Sequence, residues 1–201
     1  NTGKINWRRS TVADYEDQFG FDEGPRAVPT VSAEHVFTLG ANGLIQCADV
    51  RSGKILWVVD AKKQFRADQG FFGFACSPMV NGANLLINIS GNNAGIIALD
   101  INSGKLRWSV AKEKASCASP ILAVINDKPQ AIFFTHEGVV STNPMSGKIN
   151  FSHPWRPAIN ASVNACTPVA VGNLIFVSTS YGKGATLLAV DGKKLETVWS
   201  G

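Results

Sequence analysis

A short turn sequence recurs along this chain of 201 residues, and each copy leads to an aromatic ring. Thr2-Gly3-Lys4 precedes Trp7. Ser52-Gly53-Lys54 precedes Trp57, Ser103-Gly104-Lys105 precedes Trp108, and Ser146-Gly147-Lys148 precedes Phe151. A looser copy, Asp191-Gly192-Lys193, precedes Trp199. The aromatic anchors stand 50, 51, 43 and 48 residues apart. Periods of this size belong to propellers and solenoids, in which one unit cannot bury its apolar face without a neighbour.

One unit reads as four short strands. Ser77-Pro78-Met79-Val80 is the first, Asn84 to Ser90 the second, Gly95 to Asp100 the third, and Leu106 to Val110 the fourth. Each run is bounded by Gly, Asn, Asp or Pro, and no segment carries a sustained helical period. Between the third and fourth strands, Asp49 and Asp100 are placed to accept backbone N–H groups just downstream, as an Asx turn does. Gly53 and Gly104 then supply the positive φ of a tight hairpin. Asn143-Pro144 keeps that logic in the next unit. In the last unit Gly192 precedes Trp199 by seven residues rather than four, which predicts a longer, irregular hairpin. Pro29, Pro78, Pro120 and Pro168 open the first strands, where a missing N–H costs no ladder bond.

These residues resemble the PQQ-like β-propeller repeat family. Ala48-Asp49-Val50-Arg51-Ser52-Gly53-Lys54-Ile55-Leu56-Trp57 and the run from Ala98 to Trp108 carry its Asp…Ser-Gly-Lys…Trp signature. The likeness covers the whole chain. It points to bacterial proteins related to the outer-membrane assembly lipoprotein propeller and to quinoprotein dehydrogenases. The expected fold is all-β, with four-stranded antiparallel blades. About four are present, as part of a seven- or eight-bladed ring. Blades are expected at 26–60, 75–111, 117–152 and 165–201. Residues 1–10, carrying Ile5-Asn6-Trp7, are expected to be the outer strand of a preceding blade. Trp7, Trp57, Trp108, Phe151 and Trp199 are assigned to docking one blade on the next. An arc of this kind would expose two sheet faces and could self-associate.

Composition excludes some functions. Nineteen basic and fifteen acidic side chains are spread without a basic run, so no nucleic-acid footprint is present. No stretch reaches the ~18–20 apolar residues of a membrane-spanning helix. His35, His136 and His153 lack metal-ligand spacing, and no nucleophile elbow or phosphate loop occurs. Cys76, Cys117 and Cys166 hold similar places before their prolines and read, like Cys47, as small buried residues rather than a disulfide or zinc framework.

Unequal connections between blades are the pointer to function. Trp7 to Pro29 and Trp57 to Pro78 span 22 and 21 residues, against 12 for Trp108 to Pro120 and 17 for Phe151 to Pro168. The first long connection is acidic and aromatic (Asp14, Tyr15, Glu16, Asp17, Phe19, Phe21, Asp22, Glu23), and the second is basic and aromatic. They are expected to pair across an inter-blade groove. Arg26, Arg66, Asp68, Phe71, Trp155, Asn160 and Asn164 form the candidate binding face. The favoured reading is a non-enzymatic scaffold binding a protein or envelope polymer through its end loops. The resemblance implies a periplasmic or cell-envelope setting, with any lipid anchor or membrane tether outside these residues. The alternative it implies is a quinoprotein dehydrogenase using PQQ and calcium. Against that, no Cys-Cys pair is present and no inner-strand start supplies the carboxylates calcium prefers. No resident cofactor and no catalytic or metal residues are therefore assigned.

Overall fold

The computed structural model describes residues 2–12, 14–16, 20, 24–110, 113–160, 162–192 and 194–201. It is an arc of four antiparallel sheets, each of four strands in simple up-and-down order. The first blade is β1 (Thr30–Ser32), β2 (His35–Leu39), β3 (Leu44–Asp49) and β4 (Ile55–Asp60). A five-residue helix, α1 (Ala61–Phe65), follows it; no helical period announced so short an element. The second blade is β5 (Met79–Asn81), β6 (Asn84–Gly91), β7 (Ala94–Asp100) and β8 (Leu106–Val110). The third is β9 (Ile121–Ile125), β10 (Lys128–Phe134), β11 (Gly138–Thr142) and β12 (Ile149–Pro154). The fourth is β13 (Val169–Val171), β14 (Leu174–Thr179), β15 (Gly184–Asp191) and β16 (Lys194–Ser200).

Each seam between blades has its own core. Phe37, Ile45 and Trp57 of the first blade meet Leu85, Ile87 and Leu99 of the second. Leu86, Ile96 and Ala98 meet Ala131, Phe133 and Val140. Ile132, Phe134 and Val139 meet Ile175, Val177 and Leu188. Successive strand residues point to opposite faces, so Leu85 and Ile87 face one neighbour while Leu86 faces the other. The two inner blades are buried on both sides, which is why their strands read as nearly unbroken apolar runs.

The recurrent aromatic marks two of these seams and also seats residues 2–12 on the first blade. A β-carbon at Gly53 would lie 2.6 Å from Trp7, one at Gly104 2.8 Å from Trp57, and one at Gly147 2.5 Å from Trp108. Each glycine also has φ near +70°, so it serves both the turn and the indole seated on it. The turns are built as expected. Ser52 N donates to Asp49 Oδ1 (2.7 Å), Ser103 N to Asp100 Oδ1 (2.9 Å) and Ser146 N to Asn143 Oδ1 (3.0 Å). Trp7 Nε1 and Trp57 Nε1 donate to Val50 O and Ile101 O, both at 2.9 Å. The equivalent carbonyl for Trp108 is Pro144 O, and Asn84 Nδ2 takes it at 2.9 Å. Trp108 Nε1 is accordingly buried without a partner.

Inner strands are joined by hydroxyls just before their prolines. Val28 N donates to Ser77 Oγ (2.9 Å), and Ser77 N to Ser119 Oγ (3.2 Å).

Several expectations are corrected. Residues 2–12 pair with no strand among the described residues, yet Trp7 docks on Gly53 of the first blade as the aromatic of a preceding blade's outer strand would, with Arg9 Nη1 donating to Gly53 O at 3.2 Å. The last hairpin is tight rather than long, because Asp191 pairs directly with Lys194. Trp199 is not docked and is 51% exposed. With Val169, Phe176 and Leu187 it forms one cross-strand row on the outer face of the fourth blade. Cysteine environments diverge: Cys47 and Cys76 are buried, Cys117 is half-buried and Cys166 is exposed, all as free thiols. The expected pairing of the two long connections falls largely on residues 17–19 and 21–23, outside the described residues. Within them, Tyr15 is 4% exposed and packs on Gly73 of the second connection.

Burying a tryptophan removes about 150–250 Å² from water, about 4–6 kcal/mol before entropy is counted. Trp57→Ala is expected to lower the unfolding free energy by about 3–5 kcal/mol, and Trp199→Ala by under about 1 kcal/mol, read from urea midpoints. Gly104→Ala adds a clash with Trp57 to its positive-φ strain. It should cost clearly more than Gly82→Ala, which has similar φ (+57°) but open space around it.

Candidate functional site

All three connections between blades return on one end of the arc, where outer strands cross back to inner ones. There a cavity of about 340 Å³ opens among them. The connection from the first to the second blade lends Asp68, Phe71 and Phe72, that from the second to the third Lys114 and Cys117, and that from the third to the fourth Arg156, Asn160 and Ser162. His136, from the β10–β11 turn, completes the rim. An apolar groove of similar size, about 330 Å³, lies between residues 2–12 and the first blade. Volume does not separate the two. The cavity is distinguished by its convergent charged and hydroxyl groups.

Local chemistry fixes each wall. Asp60 caps α1, accepting from Lys63 N at 3.1 Å, and Arg66 ends the helix in the left-handed region at φ +50°. The chain then turns toward the second blade, with Asp68 N donating to Ser90 O. Asp68 Oδ1 accepts from Gly70 N at 3.2 Å, and Phe71 and Phe72 stand edge to face at 4.8 Å. The second wall is stitched to its neighbours. Ser116 N donates to Asn88 Oδ1 (3.2 Å), and Ser116 Oγ sits 2.7 Å from both O and N of Asn164.

The ionisable groups are mostly tied to one another. Arg156 Nη1 donates to Glu137 Oε2 (3.1 Å), and its Nη2 to Asn160 Oδ1 (3.2 Å). His136 Nδ1 lies 3.1 Å from Glu137 Oε1. Partial desolvation pushes Glu137 upward, but its bonds to His136 and Arg156 outweigh this and hold the carboxyl below its usual range. Glu113 behaves oppositely. Burial raises it, Thr135 opposes, and the nearby Glu137 charge adds to the rise. Thr135 Oγ1 lies within reach of two acceptors, Glu113 Oε2 at 3.0 Å and Gly138 O at 3.1 Å. It has one proton to give, so a protonated Glu113 satisfies the set best.

Of the residues expected on a binding face, Asp68, Phe71 and Asn160 line the cavity. Arg66 lies instead in a separate depression with Gln64 and Asn92. Arg26 sits over the Tyr15 ring at 5.5 Å. The Trp155 ring carries Lys183 Nζ at 4.1 Å and stacks with His153. Asn164 is 1% exposed and uses its amide as a clamp on Thr135 O (2.8 Å) and Trp155 O (3.1 Å). Sequence reasoning passed over Lys114 and treated His136 as isolated. Neither has a local signal, because both acquire their neighbours only when blades stack.

The carboxylates around the cavity are already engaged. Glu137 is engaged by Arg156 and His136, Asp68 by its own loop. Among the described residues no group of three His, Cys, Asp or Glu side chains could hold a metal ion.

Over residues 1–201 the chain matches the family model described as outer membrane protein assembly factor BamB. Among solved structures it is similar to BamB from Moraxella catarrhalis (19% identity, TM-score 0.59), covering 84% of this chain and 46% of that one. It is also similar to the quinohemoprotein alcohol dehydrogenase ADHIIG from Pseudomonas putida HK5 (17%, TM-score 0.62; 88% of this chain, 34% of that). A third is the quinohemoprotein alcohol dehydrogenase from Comamonas testosteroni (14%, TM-score 0.66; 89% and 35%). The chain thus spans less than half the length of each, and at these identities the likeness is one of fold. No curated protein sequence matches it.

Raised Glu113 stabilises the fold below the ordinary glutamate range and loses that contribution as pH rises through its own elevated value. Glu113→Gln, which keeps the polar contact without the charge, should therefore raise the melting temperature at pH 7 relative to the parent. The gain should shrink toward pH 4 in a pH series of thermal melts.

Proposed function

This chain belongs to the family of the outer membrane protein assembly factor BamB, and we propose that it is a non-enzymatic propeller scaffold that binds a protein or envelope polymer through the loops of one end. The observation that carries this reading is the convergence of all three inter-blade connections on one cavity lined by Asp68, Lys114, His136 and Arg156. Loops held by a rigid sheet scaffold are where binding residues concentrate.

Nothing at the cavity is arranged as an activated nucleophile. Burial pushes the Cys76 thiol up to about 12 and raises Cys117 as well, the opposite of what a reactive cysteine requires. His136 is oriented by Glu137 but has no hydroxyl or thiol nucleophile bonded to its other nitrogen among the described residues. A resident quinone or calcium ion is no part of this proposal. A periplasmic or envelope setting belongs to it, since the family is named for assembly at the outer membrane.

Site-specific photo-cross-linking in the native cell tests the proposal. A cross-linker in place of Asn160, at the cavity rim, should give discrete adducts. One in place of Ile149, exposed on the outer strand β12, should not. Adducts from position 149 alone, or turnover of an alcohol by the chain supplied with quinone and calcium, would overturn it.

A further inference from the structure

Three features of the cavity have no structural use in the fold. The Lys114 ammonium projects from an exposed residue and has no carboxylate partner among the described residues. Arg156 Nη2 spends one of its two protons on Asn160 Oδ1, which leaves the other uncommitted. Ser162 is 3% exposed, lines the cavity, and its hydroxyl has no hydrogen-bond partner. A buried hydroxyl without a partner is costly, so a ligand that supplies one is favoured. One unpaired cation, Lys114, one guanidinium already paired with Glu137 and one hydroxyl donor thus converge on a cavity to which Asp68 brings the lone carboxylate among the lining residues. That carboxylate is already fixed by Gly70 N.

Beside these donors stands an apolar ledge. Phe71 and Phe72, at 4.8 Å edge to face, both line the cavity. A cavity of about 340 Å³ has room for a few side chains of an extended peptide. A bare inorganic anion would satisfy the cations and leave the phenyl ledge unused. A neutral apolar segment would use the ledge and strand the cations.

Resting on the scaffold reading, we infer that this cavity recognises an acidic peptide segment of the partner. A carboxylate is held by Lys114, Arg156 and Ser162, and a neighbouring apolar side chain packs on Phe71 and Phe72. Charge sets selection and the ledge adds contact area, as in interfaces with a polar rim around an aromatic anchor.

The test uses the full chain and a fluorescein-labelled peptide of alternating Asp and Phe, blocked at both ends, followed by anisotropy. Saturable binding is expected, weakening about tenfold on replacing every Asp by Asn and on Lys114→Gln. Lys114 is exposed, so the latter leaves the fold intact. Raising NaCl from 50 to 300 mM should weaken binding. Phe71→Ala should weaken it about threefold or more at either salt concentration. Equal binding of the Asn peptide, absence of saturable binding, or full displacement by equimolar inorganic phosphate would overturn the inference. If adducts from position 160 persist while the Asp–Phe peptide fails to bind, acidic recognition falls and the scaffold reading stands. Loss of both removes both.

Discussion

An indole resting on a glycine is the contact from which the rest of this molecule follows. Trp7, Trp57 and Trp108 each lie where a β-carbon on Gly53, Gly104 or Gly147 would stand. The glycine does two things in one residue: it closes the hairpin in the left-handed region and leaves room for the ring. The Asp side chain three residues before the Ser N–H holds the turn open for that ring. At the first two seams the register between blades is thereby set at a single point, and the alternating strand faces fill the seam behind it.

The variation among seams has physical causes. Trp108 seats its ring but leaves its N–H unpartnered, because Asn84 claims the carbonyl the other indoles use. Gly192 has nothing within 4 Å of a β-carbon, so the third blade's Phe151 does not repeat the seating. The seam there is carried by Ile132, Phe134, Ile175 and Leu188, with Asn126 and Asn173 hydrogen-bonded across the rim at 2.7 Å. Blades buried on both faces have continuous apolar strands. The fourth blade has the same kind of sequence but one open face, where Phe176 and Trp199 remain partly in water.

The candidate site is a by-product of that stacking. Each connection has its own local structure: a capped turn of helix, a stitched serine, an asparagine clamp. None forms a site alone. Stacked around the arc, they bring Asp68, Lys114, His136 and Arg156 to one cavity. Glu137 is held low by Arg156 and His136 while Glu113 is raised by burial. Two carboxylates of the same end thus shift in opposite directions because one accepts hydrogen bonds from Arg156 and His136 and the other chiefly loses water.

Sequence alone determined the four-strand reading of the second unit, the Asx turns, and the repeat that demands stacking, because alternation and turn chemistry act over a few residues. It also pointed to the loop end, and to Asp68, Phe71 and Asn160 within it. Tertiary structure decided which residues meet. Ile5-Asn6-Trp7 has strand character but pairs with no strand among the described residues, while its ring docks on Gly53. Trp199 carries the same motif as Trp57 but is half exposed on the outer face of the fourth blade. Asn164 looks like a ligand group and turns inward, because buried carbonyls of Thr135 and Trp155 need its amide. Lys114 and His136 carry no motif at all, and their place beside Arg156 exists only once separate blades have packed.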